Sequence, residues 1–348
     1  MIKYLGSKRT LMPVLRDLIA RSEAQTALDL FSGTTRIARE MKSQGLKVTA
    51  IDTASYSEVF GKTWIEIDGS QIDQIELLNA IKHLNSLSGI DGFFTENYCS
   101  KARFFQTKNG RRIDAIRNEI EKNFKASNLY YPLLTSLIMA ADKVDSTTGV
   151  QMAYLKNWSP RSSKDLNLLD PELLAGSGTA IRADAKNIVS ELEPVDLAYL
   201  DPPYNQHRYF GNYHIWETLV RWDYPEGYGV ANKRVDARDS SNKSDFNSKL
   251  TMPASLSEVI EKLKAKTLIL SYNNESWLSR RQLRDMCSKY EVVEIVDFDS
   301  KRYVGGQIGV YNHSGELVGK PGAQRNLEHL VLAGNSETVN RMVAGISS

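Results

Sequence analysis

Cysteine is almost missing from this chain: Cys99 and Cys287 are the only two among 348 residues. Two thiols exclude a disulfide framework and a four-cysteine zinc site, and no His/Cys cluster with ligand spacing stands in for them, so no metal is expected. Long apolar runs are missing as well. No window approaches the roughly 18 uninterrupted apolar residues of a membrane span, and Met1-Ile2-Lys3-Tyr4 does not begin the apolar core of a signal peptide. The expectation is a cytoplasmic protein without membrane contact. Nor is there an excess of one charge: Lys+Arg number 44 and Asp+Glu 42, a net +2, so any nucleic-acid contact must come from local basic clusters. Repeats and low-complexity tracts are absent.

What is present is an ordinary globular composition, 41% hydrophobic and 25% charged, in a chain longer than a typical single domain. Short β-rich runs at 27–31, 47–52, 179–183, 195–200, 267–272, 292–298 and 329–333 alternate with helical or turn-rich segments, which predicts seven strands in an α/β sheet. The first four end on or beside polar or glycine residues, and ligands of open α/β sheets bind beyond the carboxyl ends of strands. Between Asp52 and Thr179 the pattern is helical, and the stretch 205–255 is rich in Tyr, Trp, Asn, Ser, Lys and Arg. Its composition reads as too polar for a core, hence as a substrate-facing or partly disordered element.

The sharpest local signal is the apolar run Val195 to Leu200 delivering Asp201-Pro202-Pro203-Tyr204. The prolines stiffen the corner. Asp201 and the Pro202 carbonyl can accept the two hydrogens of a planar amino group, while the Tyr204 ring stacks on the plane that carries it. A plain strand-end turn is the competing reading. The second signal is Asp29-Leu30-Phe31-Ser32-Gly33-Thr34-Thr35, a strand passing through a small-residue turn into a helix, the shape of a nucleotide-like cofactor cradle. It lacks the G-x-G-x-x-G spacing of pyrophosphate sites. About twenty residues further on, Asp52 ends the second strand, where it can accept both hydroxyls of a ribose or simply cap the following helix.

With these motifs in this order, the chain resembles the Dam-like, D12 class of amino-methylating DNA methyltransferases over most of its length. Lys3-Tyr4-Leu5-Gly6-Ser7-Lys8 resembles the family's N-terminal cofactor segment. The resemblance implies a seven-stranded Rossmann-like class I methyltransferase sheet, formed by residues 1–62 and 178–348, with an inserted, mainly helical target-recognition domain at 63–177 and a DNA-facing loop at 205–255. It implies S-adenosyl-L-methionine as cofactor. Tyr4 and Lys8 would approach its methionine end, Asp29, Phe31, Ser32 and Gly33 would line that moiety, Asp52 would hold the ribose, and Asp184 would accept from its adenine amino group. Asp201, Pro202, Pro203 and Tyr204 would be the catalytic set. An Asp in its first position favours adenine N6 over cytosine N4. Thr35 departs from the pattern, standing where the family's turn commonly has a second glycine.

The implied substrate is double-stranded DNA with its target base flipped out, since the amino nitrogen is unreachable within the stack. A cognate restriction endonuclease acting separately fits the same resemblance. Lys101, Arg103, Lys108, Arg111 and Arg112 around Phe104-Phe105, and Lys156 and Arg161 around Trp158, are candidate DNA contacts, as is Arg208 beyond the tetrapeptide. Competing functions are amino methylation of RNA, of cytosine N4 or of a protein glutamine, and a catalytically idle DNA-binding relative.

Overall fold

A computed structural model describes residues 2–6, 8–203, 209–239, 242–273, 277–301, 310–311, 317–319 and 325–346. All seven expected runs are strands, with only their ends shifted: β1 (Thr26–Asp29), β2 (Lys47–Asp52), β3 (Thr179–Arg182), β4 (Val195–Leu200), β5 (Ala265–Asn273), β6 (Val292–Lys301) and β7 (Arg325–Gly334). They make one mixed sheet in the order β3-β2-β1-β4-β5-β7-β6. The pairs β2/β3, β1/β4 and β4/β5 are parallel, whereas β7 runs antiparallel to both β5 and β6. Near-continuous burial along the ends of β4 and β5, from Leu197 to Leu200 and from Thr267 to Asn273, is the mark of strands covered on both faces. Among the described residues, helices of at least seven residues are α1 (Met12–Ser22), α2 (Arg36–Ser43), α3 (Ser55–Gly61), α4 (Gln74–Ser86), α5 (Thr107–Glu119), α6 (Tyr130–Val144), α7 (His214–Arg221), α8 (Met252–Lys262), α9 (Arg280–Met286) and α10 (Ser336–Ile346). None is long and apolar enough to cross a membrane.

The chain forms two compact units, Met1–Tyr4 with Ser32–Asp184 and Arg208–Ser244, and Leu5–Phe31 with Ala185–His207 and Asp245–Ser348. The first is mostly helical. Its core is built on α6, where Leu133, Leu134, Leu137, Ile138, Ala141 and Val144 are buried. Arg117 of α5 is buried too, donating to the Leu219 and Val220 carbonyls and so closing the C-terminal end of α7. In the second unit, α1 packs against α10. Local sequence fixes several helix starts there: Pro13 preorganises the first turn of α1, and Ser279 with Gln282 forms a capping box on α9.

One expectation is corrected. The stretch 205–255, read as too polar for a core, contributes α7, whose Ile215, Trp216 and Leu219 are buried, and a short ladder of Gly227–Tyr228 with Lys233–Arg234. The composition misleads because several of its charges, those around α7, are paired with one another. Arg234 grips Asp223 through two bonds of 2.7 Å and also binds Asp236, while Arg221 lies 3.0 Å from the buried Glu217. Bidentate Arg-carboxylate pairs let such residues leave water at tolerable cost.

Candidate active site

The second unit carries the carboxylate corner. Because β1 and β4 are parallel, with Asp29 opposite Tyr199, both strands release the chain at the same edge. Asp29 is buried there, and the Phe31 ring meets Phe246 edge-on at 5.0 Å. Asp201 follows Leu200 directly, with Pro202 buried and Pro203 half-buried behind it. Its Oδ1 lies 3.1 Å from Lys8 Nζ, and the same ammonium is 3.3 Å from Glu328 Oε2. Burial pushes the Asp201 carboxyl up to about 6; Lys8 opposes that shift and the Glu328 charge adds to it. Burial also raises the neighbouring Tyr199 phenol, and the charge of Asp201 raises it further. Tyr204 and Arg208 lie outside the described residues.

The first unit carries the small-residue turn. Gly33 and Thr35 both have positive φ, +49° and +56°. The Gly33 N–H donates to Asp52 Oδ2 at 2.8 Å, and Ala54 N–H donates to Asp52 Oδ1 at 2.9 Å. One carboxylate therefore ties the turn to the start of α3, and its roughly four lone-pair directions exceed the backbone donors it meets. Burial raises the Asp52 carboxyl, and these backbone donors offset part of the shift. Ser32 N–H donates to the Ile51 carbonyl, and Ser57 Oγ donates to the Gly33 carbonyl at 2.5 Å. Tyr4 covers the turn: a Cβ on Gly33 would come within 3.1 Å of its ring. That ring stacks on Tyr213 at 4.8 Å and on Tyr209 at 5.3 Å.

Asp184 stands just past β3. The Ala183 N–H donates to the Asp52 carbonyl, extending the β2/β3 pairing by one step and bringing Asp184 to the edge where Asp52 lies. Thr35, where the resemblance leads to a glycine, is held in the left-handed region, which costs a β-branched residue roughly 1–2 kcal/mol. Its N–H donates to the Ser32 carbonyl at 2.6 Å, its hydroxyl to the Thr34 carbonyl at 2.7 Å, and its side chain is fully buried. The turn keeps its shape through these bonds.

The two basic groups are one surface. Arg103 donates to the Lys156 carbonyl and lies over the Trp158 ring at 4.8 Å, while Lys108 reaches the Ser163 carbonyl and Asp165. Lys101, Arg103, Lys108 and Lys156 are exposed. Phe104 and Phe105, between them, are core residues. Arg161 serves the framework, donating to the Asp145 and Thr147 carbonyls and pairing with the Asp145 carboxylate. Arg111 pairs with Asp91, and Arg112 donates to the Asn85 carbonyl.

Sequence reasoning missed Tyr56 and Ser57 of α3, which touch Tyr4 and Gly33, because buried positions of a helix following the acid carry no motif. Glu328, which lies beside Lys8, carried no motif either.

An open sheet in this strand order, with a small-residue turn after β1, an acid ending β2 and an Asp-Pro-Pro corner after β4, has the class I methyltransferase fold. The model of the D12 class N6 adenine-specific DNA methyltransferases matches residues 4–286, and the chain belongs to that family. It is 31% identical over 320 residues to the modification methylase StsI of Streptococcus sanguinis, covering 87% of this chain and 48% of that protein. To the type II methyltransferase M.NlaIII of Neisseria lactamica it is 30% identical over 330 residues, covering 90% of this chain and 95% of that protein. To M.CviAII of Paramecium bursaria Chlorella virus 1 it is 29% identical, covering 87% and 92%. The chain thus spans about half of StsI methylase and nearly all of M.NlaIII.

Proposed function

We propose that this protein transfers a methyl group from S-adenosylmethionine to N6 of a specific, flipped-out adenine in duplex DNA, as the modification arm of a restriction-modification pair. The observation that carries this reading is the buried Asp201 carboxylate at the end of β4, followed by two prolines, in a member of the adenine-N6 family. The names of the relatives, modification methylase and type II methyltransferase, supply the restriction-modification context.

The residues suit the donor. A cradle that a Cβ on Gly33 would fill, a carboxylate at Asp52 with acceptor capacity left over, and the half-buried Asp184 match its methionine, ribose and adenine parts. When bound, S-adenosylmethionine supplies a sulfonium methyl whose bonding electron pair departs with sulfur. Asp201 and the Pro202 carbonyl accept the two amino hydrogens, which orients the nitrogen lone pair and lowers the energy of the positive charge developing on that nitrogen. A proton then leaves the nitrogen toward Asp201 or water, and Tyr204 stacks on the base. Residues 63–177 act as the target-recognition region and 205–255 as a DNA-facing element, on a catalytic frame of 1–62 and 178–348. Phosphates are met by Lys101, Arg103, Lys108, Arg111 and Lys156, the exposed members of the basic surface.

Two experiments check this. Sequencing DNA from a methylation-free host expressing the full chain is expected to show N6-methyladenine at one short motif; N4-methylcytosine, or no modification by the folded protein, overturns the assignment. Gly33→Ala is expected to weaken donor binding about tenfold or more, since its Cβ would press on Tyr4 and the left-handed backbone adds roughly 1–2 kcal/mol of strain. Calorimetry on the variant decides it, and an unchanged Kd would remove the turn from the donor site.

A further inference from the structure

Lys8 is placed by a single short turn, Lys8–Thr10, just before α1. The resemblance directs it toward the methionine end of the cofactor. In the structure its ammonium lies 3.1 Å from Asp201 and 3.3 Å from Glu328, and the three side chains are only 5%, 19% and 12% exposed. Glu328 is fixed from both sides, since β7 pairs it with Asn273 of β5 and Phe298 of β6. A buried ammonium between two carboxylates is well compensated, yet the group as a whole keeps one surplus negative charge.

We propose that Lys8 and Glu328 are positioning residues for the methyl transfer: Lys8 holds Asp201 as an oriented carboxylate, and Glu328 anchors Lys8 while leaving that carboxylate only partly neutralised. The inference rests on the proposed reading of Asp201 as acceptor for the target amino group. The chemistry requires the ionised form. A carboxylate offers only acceptors, whereas a protonated carboxyl turns one oxygen into a donor, the wrong polarity for an amino hydrogen. The groups facing Asp201 are Lys8, Glu328 and, within its own strand, Tyr199, whose phenol also feels Asp29. Of these, the ammonium alone favours ionisation. Removing it strands a buried charge, which then takes up a proton more readily; removing Glu328 takes away a like charge and has the opposite effect. A mere scaffold role for the cluster gives no such opposition of sign.

The test uses the full chain in four forms: wild type, Lys8→Met, Lys8→Arg and Glu328→Gln. The Asp201 carboxyl is titrated directly by NMR with carboxyl-13C aspartate, an Asp201→Asn variant assigning the resonance, and single-turnover methylation of duplex DNA is followed from pH 5 to 9. Wild type is expected to titrate, and to lose activity, near pH 6. Lys8→Met should move both midpoints up by about one unit or more, Glu328→Gln should move both down, and Lys8→Arg should stay within about half a unit of wild type. Donor Kd is expected to change less than about threefold in all of them, since an interaction made to the acceptor side leaves donor binding intact. Shifts of the same sign in Lys8→Met and Glu328→Gln, or none, overturn the inference. So does a loss of donor affinity as large as the loss of rate in Lys8→Met, which returns Lys8 to the cofactor. If Lys8→Met does not fold, Glu328→Gln and Lys8→Arg still carry the comparison. If wild type methylates no adenine while the NMR shifts appear as expected, the charge assignment stands and the proposed reaction is what fails.

Discussion

Asp201→Ala is expected to lower methyl transfer by about 10²–10³-fold or more while leaving the methyl donor bound, because it removes an oriented acceptor needed only where charge develops on the target nitrogen. Single-turnover transfer of labelled methyl and donor calorimetry measure the two halves separately. Retention of a tenth of the activity, or a loss of donor affinity as great as that of Asp52→Ala, would show that the carboxylate does something else. Asp201→Asn adds a readout in stability. Burial raises this carboxyl from the ordinary 3.8 to about 6, so the folded protein binds the proton more tightly than the unfolded chain does. The sign follows: this group favours the folded state most below about pH 4, and that advantage is lost as pH rises through 6. Asparagine has no such dependence. The Tm of Asp201→Asn relative to wild type is therefore expected to improve between about pH 4 and 6 and to level off above. A flat difference across that window would mean that the carboxyl is not perturbed.

The complementary result is expected from Asp52→Ala. The substitution leaves the Gly33 and Ala54 N–H groups without their acceptor, each worth about 1–3 kcal/mol when buried and unpaired, and it removes the proposed ribose partner. Donor affinity should fall about 10–100-fold, with a lower Tm, whereas the rate at saturating donor falls less, since Asp52 touches no reacting atom in this reading. Together the two variants separate holding the donor from presenting the base. If Asp52→Ala reduced the saturated rate as severely as Asp201→Ala while donor Kd stayed constant, the division of labour would be reversed.

Much of this was legible in the linear sequence, for identifiable reasons. All seven strands could be read because short apolar β-rich runs bounded by turn residues are a local signal, and β4 with its Asp-Pro-Pro end is the clearest of them. The Gly33 turn and Asp52 could be read because their spacing follows from one strand-helix-strand passage. Trp216 could not be assigned: an indole after a polar corner is equally at home on a base or in a core, and the structure buries it. Arg161 and Arg103 look alike in sequence as basic residues near Trp158, yet one is tied to Asp145 and Thr147 and the other lies exposed over the ring. Such differences depend on partners many residues away.

By itself, then, the sequence determined the strands, the identity of the corner residues and the family to which they point, because each depends on chain neighbours within a few tens of residues. Tertiary structure decided which charges are partners. Lys8 and Glu328 stand 320 residues apart in the chain, yet both lie against Asp201. No local pattern predicts that, since a buried ion pair is set by the sheet that brings β7 beside β5 and by the dielectric of the site it creates. The polar stretch after the corner belongs to the same lesson. Its charges look like a solvated loop until Arg234 meets Asp223 and Asp236 and reaches Thr218 of the buried α7.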